Sequence, residues 1–156
     1  MVFLTRRYRF SASHRLHNEA LDAEENARLY GKCNNPFGHG HNYALEVTVA
    51  GPVETKTGMV MNLESLDRAV EEEILAPFDE VNLNLDVESL RGVVPTTENL
   101  CVEIFRRLDR RLGGAPGGPR LERVRLEETP SNFFEVTREP EKRSGAESEL
   151  AWRNRP

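Results

Sequence analysis

The chain has 156 residues, enough for one domain with a core of its own and short for two. Hydrophobic residues make up 38% and charged residues 30%, and no apolar run approaches the ~18 residues of a membrane span, which excludes that class. The net charge is -5 and arginines are interspersed with glutamates, so no basic block is left for nucleic acid.

The opening "MVFLTRRYRF" has too short an apolar stretch for a secretory leader and reads as mature protein. Over residues 2–14, Tyr8, Phe10 and Ala12 share one parity and Arg7 and Arg9 the other, which predicts a half-buried strand. His14 continues its apolar face. Residues 15–38 show no clean period and read as a long excursion with one helical turn around "DAEENARL". An irregular insert of that size is usually functional.

Alternation returns at His39. His39, His41, Tyr43, Leu45, Val47 and Val49 would lie on one face of a second strand. After the loop "GPVETKTG", Leu63, Leu66, Val70 and Ile74 recur at helical spacing, with Asn62 placed as cap and Pro77 as stop. A second helix starts at Thr96 or Thr97 with the stripe Leu100, Ile104, Leu108 and Leu112, ended by Gly113. "GGAPGGP" is a loop, Val124, Leu126 and Glu128 share one parity in a third strand, and "FFEVT" makes a fourth.

The order strand, strand, helix, helix, strand, strand predicts an α+β fold, an antiparallel sheet with helices on one face. One domain spans 1–138, and residues 139–156 form a charged, mobile tail. So small a sheet leaves edges that oligomerisation would cover.

The chemistry concentrates in "GKCNNPFGHGHNY". His39 and His41 project side by side from a strand, a common way to present two zinc ligands, and His14 on the neighbouring strand offers a third. Three nitrogen ligands leave one position open, the catalytic pattern of zinc. Gly38 and Gly40 would let the backbone turn tightly and keep a metal accessible. On spacing alone the pair reads equally well as the end of a strand, and His17, off the His14 face, reads as an ordinary polar residue. Cys33 lies in a polar turn beside Lys32, where a thiol would be a fourth ligand or a catalytic base, or simply a small buried residue. Cys101 lies beside an apolar helix stripe and reads as core. With no leader, both thiols are expected reduced in the cytoplasm.

"FSASHRLH", "GKCNNPFGHGHNY", "TGMVMNL" and "TTEN", in this order, closely resemble the animal-type 6-pyruvoyltetrahydropterin synthase family, from about Arg9 to Thr137. The resemblance implies a tunnelling fold, in which subunits join their sheets into a barrel and trimers stack into hexamers. It implies a small-molecule substrate, 7,8-dihydroneopterin triphosphate, bound at a subunit junction, with neither nucleic acid nor membrane as partner. It places zinc on His14, His39 and His41, the catalytic thiol on Cys33, and the pterin-anchoring carboxylate on Glu128, with Thr96 and Thr97 lining the pterin pocket. Where the family reads Asp-His, a proton relay to the thiol, this sequence has Asp79 and Glu80. That departure puts the relay's second member in doubt.

Three other readings compete. The 6-carboxytetrahydropterin synthases of queuosine biosynthesis use the same substrate but usually have a shorter thiol-to-histidine interval. A zinc-stabilised pterin-binding module would have no need of Cys33 in a polar turn. A zinc hydrolase would want a carboxylate base and no thiol. Lys32, Arg15 and Lys56 are candidates for phosphate contacts on charge alone.

Overall fold

The computed structural model describes residues 1–113 and 117–139, so 114–116 of the expected loop and 140–156 of the expected tail lie outside the described residues. β1 (Val2–His14) and β2 (His39–Gly51) pair antiparallel over their whole length, from Val2 opposite Gly51 to His14 opposite His39. A two-residue strand, β3 (Val81–Asn82), runs parallel to β1 beside Ala12 and Ser13. β4 (Arg120–Thr129) pairs antiparallel with β2, and β5 (Asn132–Thr137) with β4, giving the order β3-β1-β2-β4-β5. Two residues are too few to show a period, so the sequence does not announce β3.

The alternation has the expected consequence. Phe10, Ala12, Tyr43, Leu45, Val47 and Val49 are buried on one face of the sheet. The other face is charged: Arg7, Glu46, Arg125 and Glu135 stand opposite one another across four strands, alternating in sign.

The helices that follow β2 cover the apolar face. α1 (Ala23–Tyr30) gives the excursion two turns where one was expected, closed by a capping box between Asp22 and Glu25. α2 (Leu63–Val70) is capped by Asn62, whose Oδ1 accepts from the Ser65 amide at 3.2 Å. Leu66, Val70 and Ile74 are buried, but Leu63 is exposed on the first turn and falls outside the stripe. Pro77 does not stop the helix. The run continues through a π turn, Glu71–Leu75, into α3 (Ala76–Phe78); Pro77 takes one N–H out of that run, and the Glu73 carbonyl accepts from Arg107 Nη1 at 3.4 Å. α4 (Thr97–Leu112) begins at the Thr96 cap and buries Leu100, Ile104 and Leu108 completely. Each such side group contributes about 1.5–3 kcal/mol. No described helix is long and apolar enough to cross a membrane.

Asparagine amides order the excursion. Asn26 is fully buried, and its Nδ2 donates to the carbonyls of Asn18, Leu21 and Asp22 while its Oδ1 accepts from the Asn18 amide. The excursion returns to the sheet at Gly38, whose φ is +70° and where a Cβ would sit 2.8 Å from the His14 carbonyl oxygen. Only glycine fits there. Gly40 is different: it lies inside β2 and makes no tight turn, and a Cβ there would meet the Ala12 carbonyl oxygen at an ordinary 3.6 Å.

Candidate active site

The register that aligns the apolar faces also brings three imidazoles together. His14 faces His39 across the last pair of β1 and β2, and His41 follows on the same face. Their ring centroids lie 4.6–5.1 Å apart, and one nitrogen from each falls within 4.8 Å of the others. His14 is buried, and its Nδ1 donates to the Pro95 carbonyl at 2.7 Å, which leaves Nε2 with its lone pair toward the cluster. Burial, partly offset by that carbonyl, lowers the His14 pKa, and burial lowers that of His41, so both rings are held neutral. His41 Nε2 is buried without a hydrogen-bond partner among the described residues. Convergent ring nitrogens, one of them buried without a hydrogen-bond partner, fit a divalent metal, and the set is the donor type zinc prefers. Cys33 is not part of this ligand cluster.

Glu128 joins the cluster from β4. It falls at an irregularity where Glu127 opposes Phe133 and Thr129 opposes Asn132, so Glu128 itself has no partner across the β4–β5 pair. Its Oε1 lies 3.6 Å from His41 Nε2 and accepts from the Thr97 hydroxyl at 2.6 Å. Its Oε2 accepts from Asn132 Nδ2 at 2.8 Å. Burial alone would raise the Glu128 pKa, but the bonds from Thr97 and Asn132 and the nearby imidazoles outweigh it and hold the carboxyl below its ordinary range. Tyr43, stacked on Phe10 at 5.0 Å, is buried beside this cluster, its ring centroid 5.6 Å from that of His41.

The remaining candidates separate. Thr97 supports Glu128, whereas the Thr96 hydroxyl accepts from the Asn99 amide and serves as the α4 cap. Cys33 sits half-buried on a 3-10 turn, Gly31–Asn34, pinned to the end of β1 by a 2.9 Å bond from the Leu16 amide to its carbonyl. Asp79 and Glu80 clip to Ser11 at the outer edge of β1. Asp79 Oδ1 accepts from the Ser11 amide at 2.7 Å, and the Glu80 amide donates to the Ser11 carbonyl at 2.6 Å. Glu80 takes a left-handed backbone, φ 57°, rare for a residue of its size. It borders a cavity of about 380 Å³ that is lined by Ser11, Ser13 and Asn42 and also by His41 of the triad. Neither carboxylate hydrogen-bonds Cys33 within a single subunit.

Two residues at the site escape sequence reasoning. Asn132 reads as a turn residue and Pro95 as a helix flank; only their tertiary contacts reveal what they do. Asn132 does fall within "EETPSN", the stretch that holds Glu128.

Comparison with known proteins agrees with this geometry. Residues 3–139 match the family model described as 6-pyruvoyl tetrahydropterin synthase. The chain is 49% identical over 131 residues to the 6-pyruvoyl tetrahydrobiopterin synthase of Poecilia reticulata, covering 84% of this chain and 86% of that protein. It is 50% identical over 130 residues to that of Homo sapiens, covering 83% and 87%. The structure of Caenorhabditis elegans 6-pyruvoyl tetrahydropterin synthase superposes with a TM-score of 0.82 at 38% identity, covering 88% of this chain and 96% of that one. The chain belongs to the 6-pyruvoyl tetrahydropterin synthase family.

Proposed function

We propose that the protein is a zinc-dependent lyase that converts 7,8-dihydroneopterin triphosphate to 6-pyruvoyltetrahydropterin with release of triphosphate. The observation that carries this reading is the meeting of three imidazoles with an ionised, hydrogen-bonded carboxylate at one end of the sheet. His14, His39 and His41 would hold the metal. Zinc bound there supplies Lewis-acid polarisation of the hydroxyls on the substrate's side arm.

The protein's own groups do the rest. Glu128, fixed by Thr97 and Asn132, accepts two hydrogen bonds from the amino-pyrimidine edge of the pterin. Cys33, as thiolate, acts as general base and takes the proton of the C–H next to the polarised hydroxyl. Triphosphate departs with the electron pair of its C–O bond, and tautomerisation leaves two keto groups and a reduced ring. Electrons balance within the substrate, so no nicotinamide is required.

Asp79 and Glu80 sit at the outer edge of β1 without a hydrogen bond to Cys33, which suits a site completed at a junction where a second copy brings them to the thiol. Most of β1's outer edge, from Val2 to Phe10, and the outer edge of β5 have no strand partner among the described residues. Such edges suit copies joined into a barrel, with trimers stacked into a hexamer. Incubating zinc-loaded protein with the substrate and identifying products by mass tests the reading. Pyruvoyl pterin supports it, carboxy pterin with acetaldehyde assigns the queuosine-type reaction, and unchanged substrate leaves a binding module.

A further inference from the structure

Beyond the paired ends of β1 and β2 lies a cavity of about 430 Å³, walled by the start and end of the excursion and by the segment leading to Pro95. It adjoins the triad through the backbone on three sides. Arg15 follows His14, Gly38 precedes His39, and Val94 precedes the proline that orients His14.

Arg15 is built into this cavity. Asn84 grips its backbone twice, Oδ1 accepting from the Arg15 amide at 2.8 Å and Nδ2 donating to its carbonyl at 3.0 Å. The Arg15 Nε donates to the Asn34 carbonyl at 3.1 Å. The terminal amino groups have no partner among the described residues. Every other described arginine is either exposed or paired with a carboxylate, so Arg15 is the half-buried arginine without a carboxylate partner among the described residues. A guanidinium held by its Nε at a cavity wall, with its terminal amino groups free, is placed to take an anion in a bidentate contact.

His17 lines the same cavity, and its tautomer is fixed. Asn34 Nδ2 donates to the Leu16 carbonyl at 2.7 Å, which identifies it as the amino end of the amide. It also contacts His17 Nδ1 at 3.0 Å, so Nδ1 accepts and Nε2 carries the proton as a donor. One asparagine beside Cys33 thus orients both donors. Asn18 and Asn82 add amides to the wall, and Glu19, the carboxylate among the lining residues, is exposed.

The geometry points to this cavity as the subsite for the triphosphate of the substrate, with Arg15 as its cation and His17 as a second donor. This assignment rests on the function proposed above. It separates three cations that look alike in sequence: Lys32 and Lys56 are exposed and off the cavity, while Arg15 is on it.

The test uses zinc-loaded full-length protein and two fluorescent, oxidised pterins that cannot turn over, neopterin triphosphate and neopterin. The wild type should prefer the triphosphate by tenfold or more, in keeping with a charge-assisted contact of ~10- to 100-fold. Arg15→Gln should bring the ratio close to one with neopterin affinity unchanged. Arg15→Lys, which keeps the charge, should retain most of the preference, and His17→Phe should lose a severalfold part. A preference unaltered by Arg15→Gln overturns the assignment, and so does equal loss for both pterins. If the wild type binds neither pterin, the proposed function is what fails. Inorganic tripolyphosphate, followed by phosphorus NMR line broadening, then decides the anion site: broadening lost in Arg15→Gln upholds it, and broadening equal in both proteins overturns it.

Discussion

His14 and His39 face each other across the end of a strand pair with their Nε2 atoms 3.1 Å apart. His14 donates its Nδ1 proton to Pro95, so its Nε2 lone pair points at His39. Ligand nitrogens on a tetrahedral zinc with bonds of 2.0–2.1 Å stand about 3.3 Å apart. The pair is therefore spaced for a shared cation. The purified protein is expected to hold about one zinc per subunit, measured by metal analysis, and His39→Ala or His41→Ala to abolish both metal and activity while the circular dichroism spectrum survives. Zinc at 100 times its dissociation constant would add about 2.7 kcal/mol to stability. Full activity in a metal-free preparation would contradict this.

The two cysteines should behave differently. Burial pushes the Cys101 thiol up to about 12, and its sulfur contacts the Val124 and Phe134 carbonyls in the core. Cys33 is half-buried in a polar turn. Alkylation followed by mass spectrometry should label Cys33 in the native protein and Cys101 only on unfolding. Cys33→Ala should lower turnover by ~10²–10⁴ with zinc retained, the usual worth of a general base. Cys101→Ala should cost about 1–2 kcal/mol of packing or less. Equal labelling of both thiols in the native protein would argue against a special Cys33.

Much of this site is legible in sequence because strand parity is a local property. His14, His39 and His41 share a face for the same reason that Phe10, Tyr43 and Leu45 do, and the α4 stripe with its Thr96 cap is equally local. What stays hidden acts over long range. Asn34 and Asn84 look like loop residues until their amides are seen to fix Arg15 and His17, and β3 is too short to carry a pattern. Glu128 is expected on the apolar face, but the β4–β5 irregularity that leaves it unpaired there is not encoded in any local spacing.

Glu80 is a test of the relay. In the proposed junction a second copy brings Glu80 to Cys33, where a carboxylate would oppose formation of the thiolate, so the wild-type rate should rise toward alkaline pH, and Glu80→His should move the profile toward neutrality. Glu80→Gln should slow turnover. An unchanged rate and profile in Glu80→Gln would remove this residue from the mechanism. Glu80→Gly, by contrast, should relieve the left-handed backbone, for a gain of ~1 kcal/mol or less in thermal unfolding.

Acid stability should depend on Glu103, a buried residue of α4. Burial would raise its carboxyl, but hydrogen bonds from Arg106, Ser89 and Arg107 prevail and hold it at about 2 against an ordinary 4.5. The unfolded state thus binds this proton first. The stabilisation is complete above the ordinary value and is lost as pH falls through about 2. Melting temperatures measured from pH 7 to 2 should fall less steeply for Glu103→Gln, which begins lower at pH 7. Parallel curves for the two proteins would contradict the assignment.

The most direct measurement of the central claim follows triphosphate release and pyruvoyl pterin formation together, with zinc-loaded wild type and Cys33→Ala given the same dihydroneopterin triphosphate. Equal amounts of the two products are expected from the wild type, and substrate bound but unconverted from Cys33→Ala. No release by the wild type at any pH, or undiminished release without the thiol, would contradict it.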